Sequence, residues 1–382
     1  MMVRYKYLRR VIRFLTSALL LLLGPLACSS TPPVCTVVTD LAGTQADFGS
    51  AVQSGAQVAM AAASGPSPIA VRFRDAGSDS TLAHQLCQSA APISLVGIGF
   101  TDSDEALAAV PAFVREGRPF VIAGATDPEL PARCGAGVFM ACFGDDAQAD
   151  AAARFALGTF GKRCVVITDS TYDYTRKLSG FFAASMRRRG GSIALEIDRR
   201  DPTAQARIAS LSGSATQIDF VFVSAEPDGL SELLGAIRRA LPTTPIIGGD
   251  GLDCEAVQRS GTSATDRVFF TCHAWLGEGA SPEAQAFVEA YRRMHGRAPV
   301  NSFAALGHDA MMIVQAAAAR AANRSPDAIR DEIGRTRDFQ GASGTISFDA
   351  GPVPRKDVWI VEVRGGARRL AERIRASEIV TR

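Results

Sequence analysis

The stretch SLVGIGFTDSDEALAAVPAFVREGRPFVIAGATDP, residues 94–128, decides the fold of this chain. The apolar, glycine-containing run 95–99 is typical of a buried parallel strand, and the polar residues 101–105 are typical of a helix N-terminus. A helix with one apolar face comes next, and the apolar run 120–123 predicts a second strand. This order is a βαβ unit, so the stretch predicts a parallel α/β sheet.

Both predicted strands end in a threonine, Thr101 after the first and Thr126 after the second. In an open α/β sheet, ligands bind beyond the carboxyl ends of the strands. The helix N-terminus beside Thr101 offers free N–H groups and the positive end of a dipole, which suit a small carboxylate. The sequence therefore predicts an anion-binding corner at these two hydroxyls. The alternative is that Thr101 or Ser103 only caps its helix and Thr126 only forms a turn.

The same alternation of strands and helices continues along most of the chain. One series of strand and helix patterns covers 35–123, and a second covers 147–247. Two consecutive doubly wound series predict two α/β lobes. Three helices are predicted beyond residue 272, followed by a pair of strands at 344–349 and 357–363 and by a basic tail or short helix from 365.

The first 27 residues have the pattern of an export signal. Five basic residues precede an apolar core at 14–23, and Leu26-Ala27-Cys28 follows. This pattern resembles the lipobox of bacterial lipoproteins, in which the signal is cleaved and Cys28 would carry the lipids. Residues 28–34 then predict a short polar tether. The alternative is an uncleaved membrane anchor, for which the apolar core is short.

Cleavage of the leader would also change the charge of the chain. The leader holds five of the 41 Lys+Arg and none of the 39 Asp+Glu, so 36 basic residues would remain against 39 acidic ones, a net charge of −3. A slightly acidic chain argues against nucleic acid as a partner. The roughly 350 remaining residues are enough for two lobes with their own cores.

Seven cysteines follow the lipobox cysteine, an odd number that leaves at least one thiol unpaired. Two pairs bracket short connections, and we expect disulfides between Cys134 and Cys142 and between Cys254 and Cys272. Cys164 begins an apolar run and is expected to be a buried free thiol. The four histidines show no metal-ligand spacing and no CxxC motif occurs, so no metal site or cofactor is predicted.

Six segments, the opening stretch among them, carry a family resemblance. The other five are TDLAGTQADFGSAVQSGAQVAMAAA at 39–63, VRFRDAGSD at 71–79, VVITDSTYDYTRKL at 165–178, IIGGDGLD at 246–253, and GHDAMMIVQAAAA with GTISFD between 307 and 349. In this order they resemble the type I periplasmic binding proteins, most closely the leucine/isoleucine/valine-binding branch. The resemblance implies two Rossmann-like doubly wound lobes joined by three crossings, hinge closure on a ligand, and delivery of that ligand to an ABC permease.

The resemblance also implies how the mature chain is divided. Lobe 1 would comprise 35–145 and 273–352, and lobe 2 would comprise 146–272 and 353–382. The expected ligand is an amino acid or a related small amine or amide. The expected location is the cell envelope, facing the periplasm, with the lipid anchor in the membrane.

Nine residues of this chain match ligand-binding positions of the family. The serine that holds the ligand carboxylate falls at Thr101, and the second loop falls at Gly124, Ala125 and Thr126. The carboxylate that faces the ligand ammonium falls at Asp250. The remaining matches are Asp145 after the first crossing, Tyr174 with Tyr172 as its rival, Glu226 in place of a tyrosine, and Phe48 near the pocket mouth.

Two departures from the family pattern introduce acidic residues. Glu226 replaces a common pocket tyrosine, and three acids in the segment 102–105 stand where the family has serines. Exposed acids at a helix N-terminus stabilise the helix by about 0.3–1 kcal/mol each, but acids beside a bound carboxylate repel it. If Asp145, Glu226 and Asp250 all face the cleft, a cationic ligand is favoured over leucine. The alternative is that the three acids face solvent and Glu226 pairs with an arginine.

The sequence lacks the common catalytic and nucleotide-binding motifs, which argues against an enzyme. The sequence has no GxSxG, HExxH or phosphate-loop motif, and GIGFTD lacks the third glycine of a dinucleotide fingerprint. Asp145 and Asp250 could form an acid/base pair, but no nucleophile or metal site accompanies them, so we do not expect an enzyme. The runner-up hypothesis is a lipid-anchored sensing or structural protein that uses the same fold without a transporter. A third is a decayed pocket in a domain that binds only protein.

Overall fold

The computed structural model describes residues 33–62, 69–259 and 262–381. The predicted signal segment 1–27 and the predicted lipidation site Cys28 lie outside the described residues. Within the described ranges, no helix is both long and apolar enough to cross a membrane. The described strands form two large sheets and one short hairpin.

The first sheet has five parallel strands in the order β2-β1-β3-β4-β5. They are β1 Val34–Thr39, β2 Ala70–Asp75, β3 Ser94–Gly99, β4 Phe120–Ile122 and β5 Val138–Met140. The helices between them are α1 Ala46–Ala62, α2 Ser80–Ala90, α3 Ser103–Ala109, α4 Pro111–Arg115 and α5 Leu130–Cys134. Strands β1 and β3 are buried along their whole length. This is expected of parallel strands that helices cover on both faces.

The second sheet begins with five further strands that are parallel to one another. They are β6 Arg163–Thr168, β7 Ser192–Asp198, β8 Phe220–Ser224, β9 Ile246–Gly248 and β10 Val268–Cys272. Their helices are α6 Asp145–Thr159, α7 Asp173–Arg188, α8 Ala204–Ser210, α9 Leu230–Ala240, α10 Glu255–Arg259 and α11 Thr262–Thr265. This half repeats the strand–helix alternation of the first sheet, as the sequence predicts.

After β10 the chain returns to the lobe of the first sheet. The elements there are α12 Pro282–His295, α13 Phe303–Arg320 and α14 Pro326–Gly334, with a hairpin of β11 Phe339–Gly341 and β12 Gly344–Ile346. Helix α13 packs closely on α1 because glycines lie at the contact. A Cβ atom on Gly55 would overlap the Ala304 carbonyl oxygen, and one on Gly307 would overlap that of Val52. This contact fixes the segment on the first lobe.

The last two strands complete the second sheet. They are β13 Val358–Arg364 and β14 Ala367–Ile374, and the full order is β14-β13-β10-β9-β8-β6-β7. Strand β13 runs antiparallel to both of its neighbours, β10 and β14. The chain therefore crosses between the lobes three times, after β5, after β10 and after β12. The predicted architecture of two doubly wound lobes joined by three crossings is confirmed.

Two predictions for the C-terminal region are wrong. Residues 344–349 do not pair with 357–363, because β12 pairs with β11 and β13 joins the second sheet. The tail from 365 is not a helix but contains β14. Only Ile374 of this edge strand is fully buried, so the alternation of apolar residues that indicates a strand is missing.

The predicted disulfides are not formed, because all seven cysteines of the described ranges are buried free thiols. The thiols of Cys134 and Cys142 lie 3.8 and 3.2 Å from two different backbone carbonyl oxygens. Cys272 lies 3.3 Å from a third carbonyl oxygen and is not bonded to Cys254. The prediction that Cys164 is a buried free thiol is confirmed.

Candidate functional site

A small cavity lies between the two lobes, at the carboxyl ends of their strands. Its volume is about 220 Å³, part of which is open to solvent. Its lining consists of Gln45, Phe48, Thr101, Thr126, Tyr174, Glu226, Asp250, Gly251 and Phe303. Six of the lining residues belong to the nine that the sequence predicts, which means that the fold brings these six together.

The first lobe contributes two threonine hydroxyls. Thr101 follows β3, and its hydroxyl is buried without a hydrogen-bond partner. Thr126 follows β4 and is 3% exposed. Thr101 does not cap helix α3, because the Asp102 carboxylate accepts the Glu105 N–H at 2.9 Å. The capping alternative for Thr101 is therefore wrong, and Thr101 lines the cavity instead.

Gly124 and Ala125 lie behind the cavity and do not line it. A Cβ atom on Gly124 would lie 2.7 Å from the Phe303 ring and 3.3 Å from the Thr101 methyl group. Gly124 thus lets these two lining side chains come close to the backbone. Ala125 is fully buried. A direct contact of either residue with a ligand remains a prediction.

The second lobe contributes the Asp250 carboxylate, just after β9. Its Oδ1 accepts hydrogen bonds from the Tyr174 hydroxyl at 2.8 Å and from the Gln148 amide at 2.9 Å. Its Oδ2 lies 2.8 Å from His273 Nε2. Burial favours the neutral acid, but the hydrogen bonds from His273, Gln148 and Tyr174 outweigh it and lower the pKa of Asp250. The cavity therefore contains a fixed anion.

Gln148 and His273 support Asp250, and neither is among the site residues that the sequence predicts. The Gln148 carbonyl oxygen accepts from Thr271 Oγ1 at 2.6 Å and from the Asp250 N–H at 3.0 Å, which fixes the amide orientation. Burial lowers the pKa of His273, so the neutral ring donates from Nε2 to Asp250. The first turn of α6 and the end of β10 thus position the carboxylate.

Asp145 lies behind the cavity, between the two lobes. Its Oδ1 accepts from the Gln148 amide at 2.9 Å, and its N–H donates to the Thr126 carbonyl oxygen at 2.8 Å. Complete burial, followed by the charge of Asp250, raises the pKa of Asp145 well above its usual range. Asp145 therefore connects the threonine side of the cavity to the Asp250 network without lining it.

Glu226 faces Gln45 across the cleft. The Gln45 amide of the first lobe donates to Glu226 Oε2 at 3.0 Å. Among the described residues, no arginine pairs with Glu226, so that alternative is wrong. Glu226 is 5% exposed, and burial, followed by the charge of Asp102, raises its pKa to about 8. Glu226 therefore ionises only at a higher pH than Asp250, whose pKa is lowered.

Three aromatic side chains, those of Phe48, Phe303 and Tyr174, also line the cavity. The rings of Phe48 and Phe303 stack with centroids 4.4 Å apart. Tyr174 lines the cavity, and its hydroxyl also accepts the Gly251 N–H at 3.1 Å. The rival Tyr172 is only half-buried and does not line the cavity. Phe303 and Gly251 were not predicted, although Gly251 directly follows the predicted Asp250.

The acidic residues of 102–105 behave differently from one another. Asp104 is exposed, whereas Asp102 and Glu105 are buried. Burial raises the pKa of Asp102 to about 6 and, together with the charge of Asp40, raises that of Glu105 to about 9. The alternative that all three acids face solvent holds only for Asp104.

A larger cavity of about 1050 Å³, much of it open solvent, lies at the first and third crossings. Its lining includes Pro128, Gly144 and the segment 350–356. None of the predicted site residues lines it. We assign the candidate site to the smaller cavity, where buried hydroxyl and carboxyl groups of both lobes converge.

The fold and the cavity define a class of two-lobed proteins that enclose a small solute between α/β lobes. The model of the family described as periplasmic binding protein matches residues 36–367. This chain therefore belongs to the periplasmic binding proteins, which are binding proteins and not enzymes.

Individual relatives resemble both lobes. The Leu/Ile/Val-binding protein BraC3 of Rhizobium johnstonii is 23% identical over 259 residues, which cover 66% of this chain and 68% of BraC3. The leucine-binding protein LivK of Thermotoga maritima is 28% identical with a TM-score of 0.82, covering 91% of this chain and all (100%) of LivK. The substrate-binding protein LivJ of Streptococcus pneumoniae, solved with isoleucine, is 25% identical with a TM-score of 0.80, covering 92% of this chain and 100% of LivJ.

Proposed function

We propose that this chain is the solute-binding component of an ABC transporter. It captures an amino acid, or a related small amine or amide, between its lobes and delivers it to the permease. One observation carries the proposal: two threonine hydroxyls at strand ends of one lobe share a cavity with an anionic carboxylate of the other. These groups complement the carboxylate and the ammonium of an amino acid. The names of the relatives, which bind leucine or isoleucine, support the same class of ligand.

The predicted threonines and Asp250 bind opposite ends of the ligand in this proposal. Thr101 and Thr126 bind the ligand carboxylate through their hydroxyls, and Gly124 leaves room for the Thr101 and Phe303 side chains. Asp250 binds the α-ammonium. Binding favours the closed arrangement because only that arrangement brings both sets of groups to the ligand.

The envelope location is part of the proposal. The lobes are divided at 35–145 with 273–352 and at 146–272 with 353–382. The signal pattern of 1–27 supports export, and Leu26-Ala27-Cys28 supports a lipid anchor on Cys28. Such an anchor keeps the binding protein close to its permease in the membrane.

Thermal unfolding tests the proposal directly. The full-length protein, purified in detergent, is heated with each of a panel of amino acids, amides, polyamines and small carboxylates. A ligand present at about 100 times its Kd stabilises the folded state by about 2.7 kcal/mol, which raises Tm by several degrees. We expect one class of amino acid to raise Tm, and we expect Thr126→Val to reduce the shift. A panel without any shift would contradict the proposal.

A further inference from the structure

We propose that the ligand carries a second cationic group and that Glu226 binds it, so that the ligand class is an amino acid with a short basic side chain. This inference rests on the proposed function, because it concerns the same cavity. Asp250 and the two threonines bind the groups common to all amino acids. Glu226 then selects among amino acids by their side chains.

The charge of the cavity lining is the first argument. Two carboxyl groups, Asp250 and Glu226, line it, and no lysine or arginine does so in the described part of the chain. Two further acids, Asp145 and Asp102, lie outside the lining. Asp145 and Asp250 repel each other, and the charge of Asp102 raises the pKa of Glu226. A zwitterionic aliphatic amino acid brings one ammonium group, which one carboxylate satisfies. The cavity has one acid more than such a ligand can pair.

The difference between the two lining carboxyl groups is the second argument. Asp250 is bound by donors from three side chains, those of Gln148, Tyr174 and His273. Glu226 has a single hydrogen-bond partner among the described residues, Gln45 of the other lobe. A buried carboxylate that lacks donors is destabilised relative to one in water. A cationic group on the ligand supplies the missing donors.

The polarity of the lining also favours a basic side chain over an aliphatic one. Besides Tyr174, the aromatic rings among the described lining residues are those of Phe48 and Phe303, which stack on each other. The remaining lining is polar apart from Gly251, so an aliphatic side chain finds little apolar surface. Gln45 holds Glu226 Oε2 at 3.0 Å and orients the carboxyl group. Aromatic faces near a cation also favour it electrostatically.

Binding of a cation at Glu226 makes the affinity for a basic ligand depend on pH. Binding a cation requires the ionised form of Glu226, and the charges that face Glu226 are those of Asp102, Asp169 and Asp250. Acidification protonates Glu226 and weakens the binding of a basic ligand. An uncharged side chain does not depend on this ionisation. The affinity ratio of a basic ligand to its neutral analogue therefore falls as pH decreases.

Calorimetric titration of the full-length protein in detergent tests the inference with matched ligands. L-Ornithine and L-norvaline share their carbon skeleton and differ in the terminal ammonium, and L-lysine and L-norleucine form a second pair. We expect each basic member to bind at least about tenfold more tightly at pH 8, as one charge-assisted hydrogen bond implies. In Glu226→Gln we expect this preference to disappear.

The outcomes separate the inference from the proposed function. If L-norvaline or L-leucine binds the wild type as tightly as L-ornithine, the inference is overturned and the proposed function stands. If no amino acid binds, both are overturned. The wild-type comparison does not depend on the folding of a variant. We expect unliganded Glu226→Gln to have the same Tm as the wild type. An equal Tm would show that the variant is folded and that it has lost only the preference for basic ligands.

Discussion

At the scale of single residues, the surroundings of a carboxyl group decide its charge. Asp250 is 2% exposed and Glu105 is 3% exposed, yet their pKa values move in opposite directions. Hydrogen bonds lower the pKa of Asp250, whereas burial and the neighbouring Asp40 raise that of Glu105 to about 9. Asp40 and Glu105 each keep one oxygen without a donor. A proton shared between these two carboxyl groups satisfies both.

The substitution Glu105→Gln tests this assignment through the pH dependence of stability. The folded state binds a proton at Glu105 up to pH about 9, whereas the usual pKa of glutamic acid is 4.5. A raised pKa in the folded state stabilises the protein at low pH, and this contribution is lost as pH rises from 4.5 towards 9. The Tm of the wild type should therefore fall between pH 5 and pH 9. Glu105→Gln, which carries no titrating proton, should show a smaller fall.

The control for this comparison is Glu196→Gln. The Glu196 side chain is 62% exposed, and among the described residues it forms an ion pair only with the exposed Arg187. We expect this variant to follow the wild-type pH profile. A Glu105→Gln profile that runs parallel to the wild type would show that Glu105 is ionised in the folded protein, against the assignment.

At the scale of secondary-structure elements, the sequence predicted the elements whose residues carry their own signal. The continuous apolar runs of β1 and β3 are visible because helices bury both faces of these strands. Strand β14 was missed because its charged residues face solvent at the edge of the sheet. The predicted pairing of 344–349 with 357–363 was wrong because strand pairing depends on contacts that no local pattern specifies.

The same distinction applies to the candidate site. Thr101, Thr126 and Asp250 stand directly after strands, where the fold itself places ligand-binding groups. Gln45 and Phe303 lie near the N-termini of α1 and α13, and they reach the cavity only because these two helices pack together. Their positions depend on tertiary packing, which the sequence pattern does not reveal.

The packing of α1 on α13 gives a prediction at this scale. A Cβ atom on Gly307 would overlap the backbone of Val52, which cannot move without displacing the helix. We expect Gly307→Ala to destabilise the protein by about 1–3 kcal/mol, because overpacking forces backbone shifts. The shift of α13 would also displace Phe303 and weaken ligand binding. Denaturant unfolding and ligand titration of the variant measure both effects.

A matched glycine provides the control. Gly180 lies within α7, and a Cβ atom there would meet no atom within 4 Å. Gly180→Ala should be neutral or stabilise the protein by about 0.5–1 kcal/mol, since glycine is a poor helix former. Equal destabilisation by the two substitutions would contradict the role of Gly307 in helix packing.

At the scale of the whole molecule, the two lobes contact each other around the cavity. The Lys177 ammonium of α7 lies 2.7 Å from Oδ2 of Asp127, which follows Thr126 on the first lobe. Gln45 and Glu226 form a second contact between the lobes. At the crossings, the buried Lys356 ammonium donates to the Ala141 carbonyl oxygen at 2.8 Å. This is the closed arrangement, and contacts such as the Lys177–Asp127 pair exist only when the lobes meet.

The closed arrangement predicts that Lys177→Ala weakens ligand binding although Lys177 does not line the cavity. Loss of the ion pair with Asp127 shifts the equilibrium towards open lobes, and affinity falls with the closed population. For a partly exposed pair we expect a loss of about 1 kcal/mol, or about fivefold in Kd. Arg187→Ala removes an exposed pair within the second lobe and should leave Kd unchanged. Calorimetric titration at low and high salt measures both, and equal Kd values for Lys177→Ala and the wild type would contradict closure through this pair.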